Sequence, residues 1–243
     1  MIVAVISDIH GNLHALQAVL EAIEASAAEQ LWCLGDLVGY GAHPNECVAL
    51  VREHAAVCLA GNHDLAVLGS IAIGDFSASA GAAVRWTRSV ISEQSRSYLA
   101  SLPPSRRQGE LGLFHASPRD AVWEYVISLP LAELCLDAQP TKRSLIGHSH
   151  VALSFSRAEG ASATGRWQPA GSSAAIDRGE WLLNPGSVGQ PRDGDPRAAW
   201  LLIDTDSWIA TFLRTTYDVA AAAGAIRAAG LPDALARRLE RGQ

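Results

Sequence analysis

Lysine is nearly absent from this 243-residue sequence: of its 19 basic residues only Lys142 is a lysine. It follows Pro140-Thr141 instead of a glycine-rich stretch. That excludes a Walker-type phosphate loop, which needs Gly-Lys-Ser/Thr, and leaves few candidates for a Schiff-base nucleophile. An excess of positive charge is also missing. The formal net charge is −6 with a pI near 5.7, and the arginines are scattered, with only Arg106-Arg107 and Arg237-Arg238 as adjacent arginine pairs. The chain therefore lacks the footprint that duplex DNA or an anionic membrane requires. No apolar run approaches the ~20 residues of a membrane span. The first one, residues 2–6, has no basic segment before it and turns acidic at Asp8, so it reads as a strand and not as a signal peptide. The cysteines, Cys33, Cys47, Cys58 and Cys135, show no C-x-x-C spacing and read as reduced core thiols. A cytoplasmic location is the expectation.

What the chain holds instead is 49% hydrophobic residues and eight histidines. At roughly 100 to 200 residues per domain the length admits one domain or two, and it suffices for a core without staples. Residues 2–7 form an apolar run of strand length, and Asn12 caps an apolar-periodic stretch, Leu13, Leu16, Val19, Leu20 and Ile23, that predicts a helix. Residues 31–34 predict a second strand, followed by a glycine-rich loop over 35–41 and a helix from near Pro44. Residues 57–60 predict a third strand, followed by a turn at 61–64. This alternation implies a parallel sheet covered on both faces. Residues 77–101 read as two helices, and 111–114 and 144–146 as buried strands. From Val151 the pattern turns to strands at 151–156, 181–183, 198–204 and 208–214, with 158–179, rich in Gly, Ala and Ser, as a hairpin loop. Asp218 caps a helix over 219–229, Gly230 stops it and Pro232 opens another. With no repeat or linker, one α/β domain over 1–243 is expected, with C-terminal helices from about 218.

Five polar motifs fall at the ends of apolar strands. Asp8-Ile9-His10 follows the first, Gly35-Asp36 the second, Gly61-Asn62-His63-Asp64 the third, His115 the fourth and Gly147-His148-Ser149-His150 the fifth. Ligands bind at the carboxyl ends of strands in open parallel sheets, so these loops are expected to converge. Burying three carboxylates, an amide and five histidines without a partner costs several kcal/mol per group. A pair of divalent cations removes that cost by neutralising the carboxylates and using the imidazole lone pairs. Mixed oxygen and nitrogen ligands without cysteine suit Mn, Fe, Zn, Co or Ni better than Ca or a thiolate zinc site. Singly, Asp8 and Asp36 could be turn residues and Asn62 a helix cap; all five motifs together are not explained that way.

In this order and strand context the motifs resemble the calcineurin-like metallophosphoesterase superfamily, in its small bacterial and archaeal phosphodiesterase branch. The match spans residues 1–150 and extends to Asn184-Pro185-Gly186-Ser187-Val188-Gly189. The resemblance implies a metallophosphoesterase-type β-sandwich, two mixed sheets flanked by helices in four α/β/β/α layers. It also implies two adjacent divalent transition-metal ions, manganese foremost, with iron, zinc, nickel or cobalt as alternatives. Asp8, His10 and His150 would hold the first, Asn62, His115 and His148 the second, and Asp36 would bridge them with one carboxylate oxygen on each. A hydroxide between the metals would attack phosphorus, and the non-ligand His63 would protonate the leaving group.

Two departures bear on the substrate. In the protein-phosphatase branch the second motif reads G-D-x-V-D-R-G and the third R-G-N-H-E; here Gly39, Tyr40 and Ala60 replace an Asp and two Arg. The missing arginines would fork onto a phosphomonoester dianion, so their absence favours phosphodiester monoanions. The missing Asp leaves His63 without its expected orienting group. The alternatives are a phosphomonoesterase, a dinucleoside polyphosphate hydrolase, or a non-catalytic scaffold of this fold that binds protein partners. The filled ligand positions and His63 count against the scaffold. The expected partner is a small phosphoester, with neither duplex nucleic acid nor membrane; a homo-oligomer is compatible with the sequence. His14, His43 and His54 read as surface, Tyr40 as packing, 184–187 as a structural turn near the site, and the seven tryptophans as core or interface. Arg192 and Asp193 either touch substrate or pair in solvent.

Overall fold

The computed structural model describes residues 1–243. Strand β1 (Ile2–Ile6) leads into helix α1 (Leu13–Glu24), whose start is set by Asn12, the side chain accepting the Ala15 N–H at 3.2 Å. β2 (Gln30–Cys33), α2 (Pro44–His54), β3 (Ala55–Cys58) and α3 (Asn62–Leu68) repeat the unit, followed by α4 (Ala78–Val90) and α5 (Glu93–Ala100). Next come β4 (Ser105–Gln108), β5 (Leu111–Phe114), α6 (Leu129–Ala138), β6 (Arg143–Leu145), β7 (Ala152–Arg157), β8 (Thr164–Trp167) and β9 (Ser173–Ala175). β10 (Glu180–Pro185), β11 (Ala198–Asp204), β12 (Ile209–Thr215), α7 (Val219–Ala228) and α8 (Asp233–Arg241) complete the chain.

The strands form two six-stranded sheets, ordered β3-β2-β1-β11-β12-β9 and β4-β5-β6-β10-β7-β8. The expectation of one parallel sheet with helices on both faces is corrected. Only β1, β2 and β3 are parallel in the first sheet, and β11 joins β1 antiparallel. The apolar run of β1 shows why periodicity could not decide this: both of its faces are buried, but by different things. Val3 and Val5 point between the sheets, with Trp32, Leu34, Leu113, Leu145, Leu183 and Phe212. Ala4 and Ile6 point outward to Leu16 and Val19 of α1 and Val48 and Val51 of α2. On the outer face of the second sheet α6 packs Ala132, Cys135 and Leu136 against Leu153, Phe155 and Leu182. The implied four-layer sandwich is what the chain forms.

Three local differences have simple causes. Residues 61–64 are not a free turn: Gly61 caps α3 and Asn62, His63 and Asp64 form its first turn. The expected hairpin loop at 158–179 holds β8 and β9, which join different sheets. β4, Ser-Arg-Arg-Gln, has no apolar residue to announce it and forms by backbone pairing with β5 at the sheet edge. All four cysteines are buried and unpaired. No helix is long and apolar enough to cross a membrane.

Candidate metal centre

Strand register builds the site. Ile6 pairs with Cys33 across β1 and β2, so the two strands end level. The loops beyond them then lock together, Asp8 N–H donating to Gly35 O at 3.0 Å and His10 N–H to Asp36 O at 2.9 Å. In the other sheet Leu113 pairs with Leu145, and Gly147 N–H donates to His115 O at 2.7 Å. The sheets meet at these ends: His148 N–H donates to Asp8 Oδ2 at 3.1 Å, and Ser187 Oγ to Asp8 O at 2.7 Å. Asn184 adds its Nδ2 to Gly147 O at 2.7 Å, which gives the 184–187 turn its structural part. Asp8, His10, Asp36, Asn62, His63, His115, His148 and His150 all converge here, each 3% exposed or less.

Two groups of side chains could hold a metal ion: Asp8, His10, Asp36 and His150, and Asp36, His115 and His148, with the ligand atoms of each group within 4.8 Å of one another. Asn62 Oδ1 joins the second group, 3.2 Å from His115 Nε2. The tautomers follow from the backbone. Nδ1 of His10, His115 and His150 faces the carbonyls of Val38 (3.1 Å), Leu34 (2.9 Å) and Gln190 (2.7 Å). A carbonyl only accepts, so each Nδ1 carries the proton and each Nε2 turns a lone pair inward. His10 and His150 Nε2 thus stand 3.1 Å apart with no proton between them. Asp8 Oδ1, Asp36 Oδ2 and His148 Nε2 are buried without partners. Converging unpartnered acceptors of this kind fit divalent cations and are costly without them.

The expected use of Asp36 is corrected by its hydrogen bonds. Its Oδ1 accepts the His63 N–H at 2.8 Å, while Oδ2 alone faces both groups, 3.4 Å from His10 Nε2 and 3.6 Å from His115 Nε2. One oxygen, not two, is placed to be shared. Burial raises the Asp8 carboxyl to about 7, with His115 pulling the other way. Burial, then the charge of Asp64, raises Asp36 well above the carboxylate range. Burial lowers His10, His63, His148 and His150.

Asp64, counted with the cluster, stands apart from it: its carboxylate accepts from Leu37 N (3.0 Å), Val38 N (3.1 Å) and Gly61 N (2.9 Å), and so holds the β2 loop against α3. His63 has no carboxylate neighbour at Nδ1, which is buried and unpartnered. Gly39, standing where the related branch has its Asp, lies under that nitrogen at φ +91°, and a Cβ there would come within 2.4 Å of it. Ring packing orients the imidazole instead, between Tyr40 (centroids 4.4 Å apart) and Phe76 (4.9 Å). Tyr40 therefore does more than pack: its ring lies tilted against that of His10, centroids 4.5 Å apart, and its hydroxyl accepts from Arg192 Nη2 at 3.3 Å.

Arg192 and Tyr125, whose ring lies 4.0 Å from that of His148, are residues that sequence reasoning left unassigned or missed. The one signal for Arg192 was its place just after the Asn184–Gly189 motif. Asp193 resolves into a buried pair with Arg214. His43 and His54 bound α2, while His14 is half-buried, its ring 5.7 Å from that of His43. Six residues of the site hold left-handed backbone: Asp8 (φ 55°), His10 (51°), Asp36 (55°), Tyr40 (58°), His148 (63°) and His150 (60°). Such conformations cost L-residues about 1–3 kcal/mol each and gather at functional sites.

The model of the calcineurin-like phosphoesterase superfamily domain matches residues 1–207. The chain belongs to that superfamily. A crystal structure of a metallophosphoesterase from Sphaerobacter thermophilus superposes with a TM-score of 0.90 at 38% identity, covering 100% of this chain and 99% of that one. An uncharacterized protein from Methanocaldococcus jannaschii is 36% identical over 242 residues, 98% of this chain and 96% of its own length. A symmetrical bis(5'-nucleosyl)-tetraphosphatase from Actinobacillus pleuropneumoniae is 37% identical over 70 residues, only 28% of this chain and 26% of that protein. A phosphoester hydrolase of this superfamily, with an Asp/His cluster able to bind metal, is the common ground of fold, site and relatives.

Proposed function

We propose that the protein is a two-metal phosphodiesterase. The observation that carries this reading is the pair of ligand groups sharing Asp36 Oδ2, each holding a buried acceptor with no other partner. Asp8, His10 and His150 would hold one divalent ion, Asn62, His115 and His148 the other, and Asp36 both. Manganese is the first ion to test, since the donor set is oxygen and nitrogen without thiolate. The ions would supply Lewis acidity to the phosphoryl oxygens and a water of lowered pKa as nucleophile. The chain's own part is positional. Asp8 and Asp36 each keep one oxygen on a backbone N–H, so the carboxylates cannot turn away. His63, kept neutral by burial and then by the charges of Arg192 and His115, would gain a proton as an anionic ester enters beside it, and would deliver that proton to the departing oxygen. Gly39, Tyr40 and Ala60, in place of an acid and two arginines, favour a monoanionic diester. The substrate is a small phosphoester met in a reducing compartment, as four buried free thiols suit.

Turnover of a bis-aryl phosphate and an aryl phosphate by the Mn-loaded protein tests this. Faster cleavage of the diester is expected, with loss of activity in Asp36→Asn; faster cleavage of the monoester would overturn the diesterase assignment. The 70-residue match to symmetrical tetraphosphatases favours one second reading, hydrolysis of a dinucleoside polyphosphate. Higher kcat/KM on such a nucleotide than on any simple diester would establish it. If Mn-loaded protein cleaves nothing in a phosphoester panel and Asp36→Asn alters nothing, a non-catalytic scaffold is the remaining reading.

A further inference from the structure

Phosphate charge at this site has no lysine to meet it and lacks both motif arginines, yet one guanidinium reaches the cluster from the loop between β10 and β11. Arg192 is placed by its backbone, its N–H donating to His150 O at 3.1 Å. The following residue anchors the loop: Asp193 accepts from Arg214 and, at 3.4 Å, from Ala152 N. Gly194 N–H donates to Gly242 O at 2.9 Å, so the end of α8 clamps the same loop. The guanidinium has no carboxylate partner. Its Nη2 donates to Tyr40 Oη (3.3 Å) and Gln190 Oε1 (3.0 Å), and its Nε is buried with no partner at all. A half-buried guanidinium with a buried donor left free is a costly arrangement that an incoming anion relieves.

We propose that Arg192 is the side chain that grips the substrate, donating to a non-bridging oxygen of the phosphoryl group seated on the Asp8, Asp36 and histidine cluster. Tyr40 and Gln190 hold the guanidinium, and the Tyr125 ring lies 4.0 Å from that of His148 in the same cluster. One fixed fork in place of two matches the two free oxygens of a diester monoanion. The assignment rests on the phosphoester reading above for its ligand, but not on turnover for its test.

The test uses full-length, metal-loaded wild type, Arg192→Gln and Arg192→Lys. Metal content is measured by elemental analysis, binding of inorganic phosphate by calorimetry, and KM and kcat on a bis-aryl phosphate. The expected result is unchanged metal content, phosphate affinity and KM both worsened by about tenfold or more in Arg192→Gln, and a smaller change in Arg192→Lys, which keeps charge but loses the fork. Phosphate affinity within about twofold of wild type, loss of metal in step with loss of binding, or no phosphate binding by wild type would each overturn it. If wild type binds phosphate through Arg192 but hydrolyses nothing, the catalytic reading fails and this one stands. If wild type hydrolyses esters and Arg192→Gln changes neither KM nor phosphate binding, the reverse holds.

Discussion

His63 shows at the scale of one residue how a site keeps its geometry after losing a common part. The position that carries an acid in the related branch is Gly39, and the imidazole rests over it, wedged by Tyr40 and Phe76. Packing fixes the ring's direction without raising its basicity, and burial lowers it. Proton delivery should therefore matter most where the leaving oxygen is a poor leaving group. For His63→Ala we expect kcat on an alkyl ester to fall about 10²-fold or more with metal content unchanged, and kcat on a nitrophenyl ester to fall far less. Equal losses on the two esters would remove His63 from proton transfer. The candidate ligands were legible in the sequence as a cluster, because chemistry restricts such donors to Asp, Asn and His in short motifs, and the fold brings these together. Tyr40 was not, since a tyrosine in a glycine-rich loop reads equally as packing, and only its hydroxyl's contact with Arg192 separates the two uses.

At the scale of elements, the site is made where parallel strands stop and the chain turns sharply. The left-handed residues at Asp8, His10, Asp36, His148 and His150 aim side chains inward where extended backbone would alternate them. The junction of β3 and α3 is tightly closed: a Cβ on Gly61 would fall 2.0 Å from Asp36 Oδ1. Gly61→Ala should displace the shared carboxylate, lowering metal content and activity by about tenfold or more while far-UV circular dichroism stays unchanged. Full metal occupancy and activity in that variant would show that the approach is not required. Helices α1, α2, α4, α5, α7 and α8 were legible from caps and 3.6-residue periodicity, as was the order of most strands. β4, β8 and β9 were not, because polar edge strands form through backbone pairing that leaves no pattern in the side chains.

Across the whole molecule, the sandwich buries acids and imidazoles together, and protons and metal compete for them. The Asp8 carboxyl stands at about 7 against an ordinary 3.8, so its share of metal-free stability is present at low pH and is lost as pH rises towards 7. His10, His148 and His150, lowered by burial, act oppositely, costing stability as pH falls below their ordinary 6.5. Metal binds only the proton-free forms of both. The rise in melting temperature on adding manganese should therefore be larger at pH 8 than at pH 5.5, read by calorimetry. Equal rises at the two values would mean that the stabilising ion binds outside this cluster.

The sequence by itself determined the candidate donor set, the order of the motifs along the chain and the near absence of lysine, because each follows from residue identity and local spacing. Tertiary structure decided what spacing cannot encode: that a second sheet and not a helix layer covers the inner face of β1, that one oxygen of Asp36 faces both ligand groups, and that Arg192, forty-two residues beyond His150 in the chain, stands beside it in space. These depend on long-range strand pairing and on which atom a distant backbone group has already claimed.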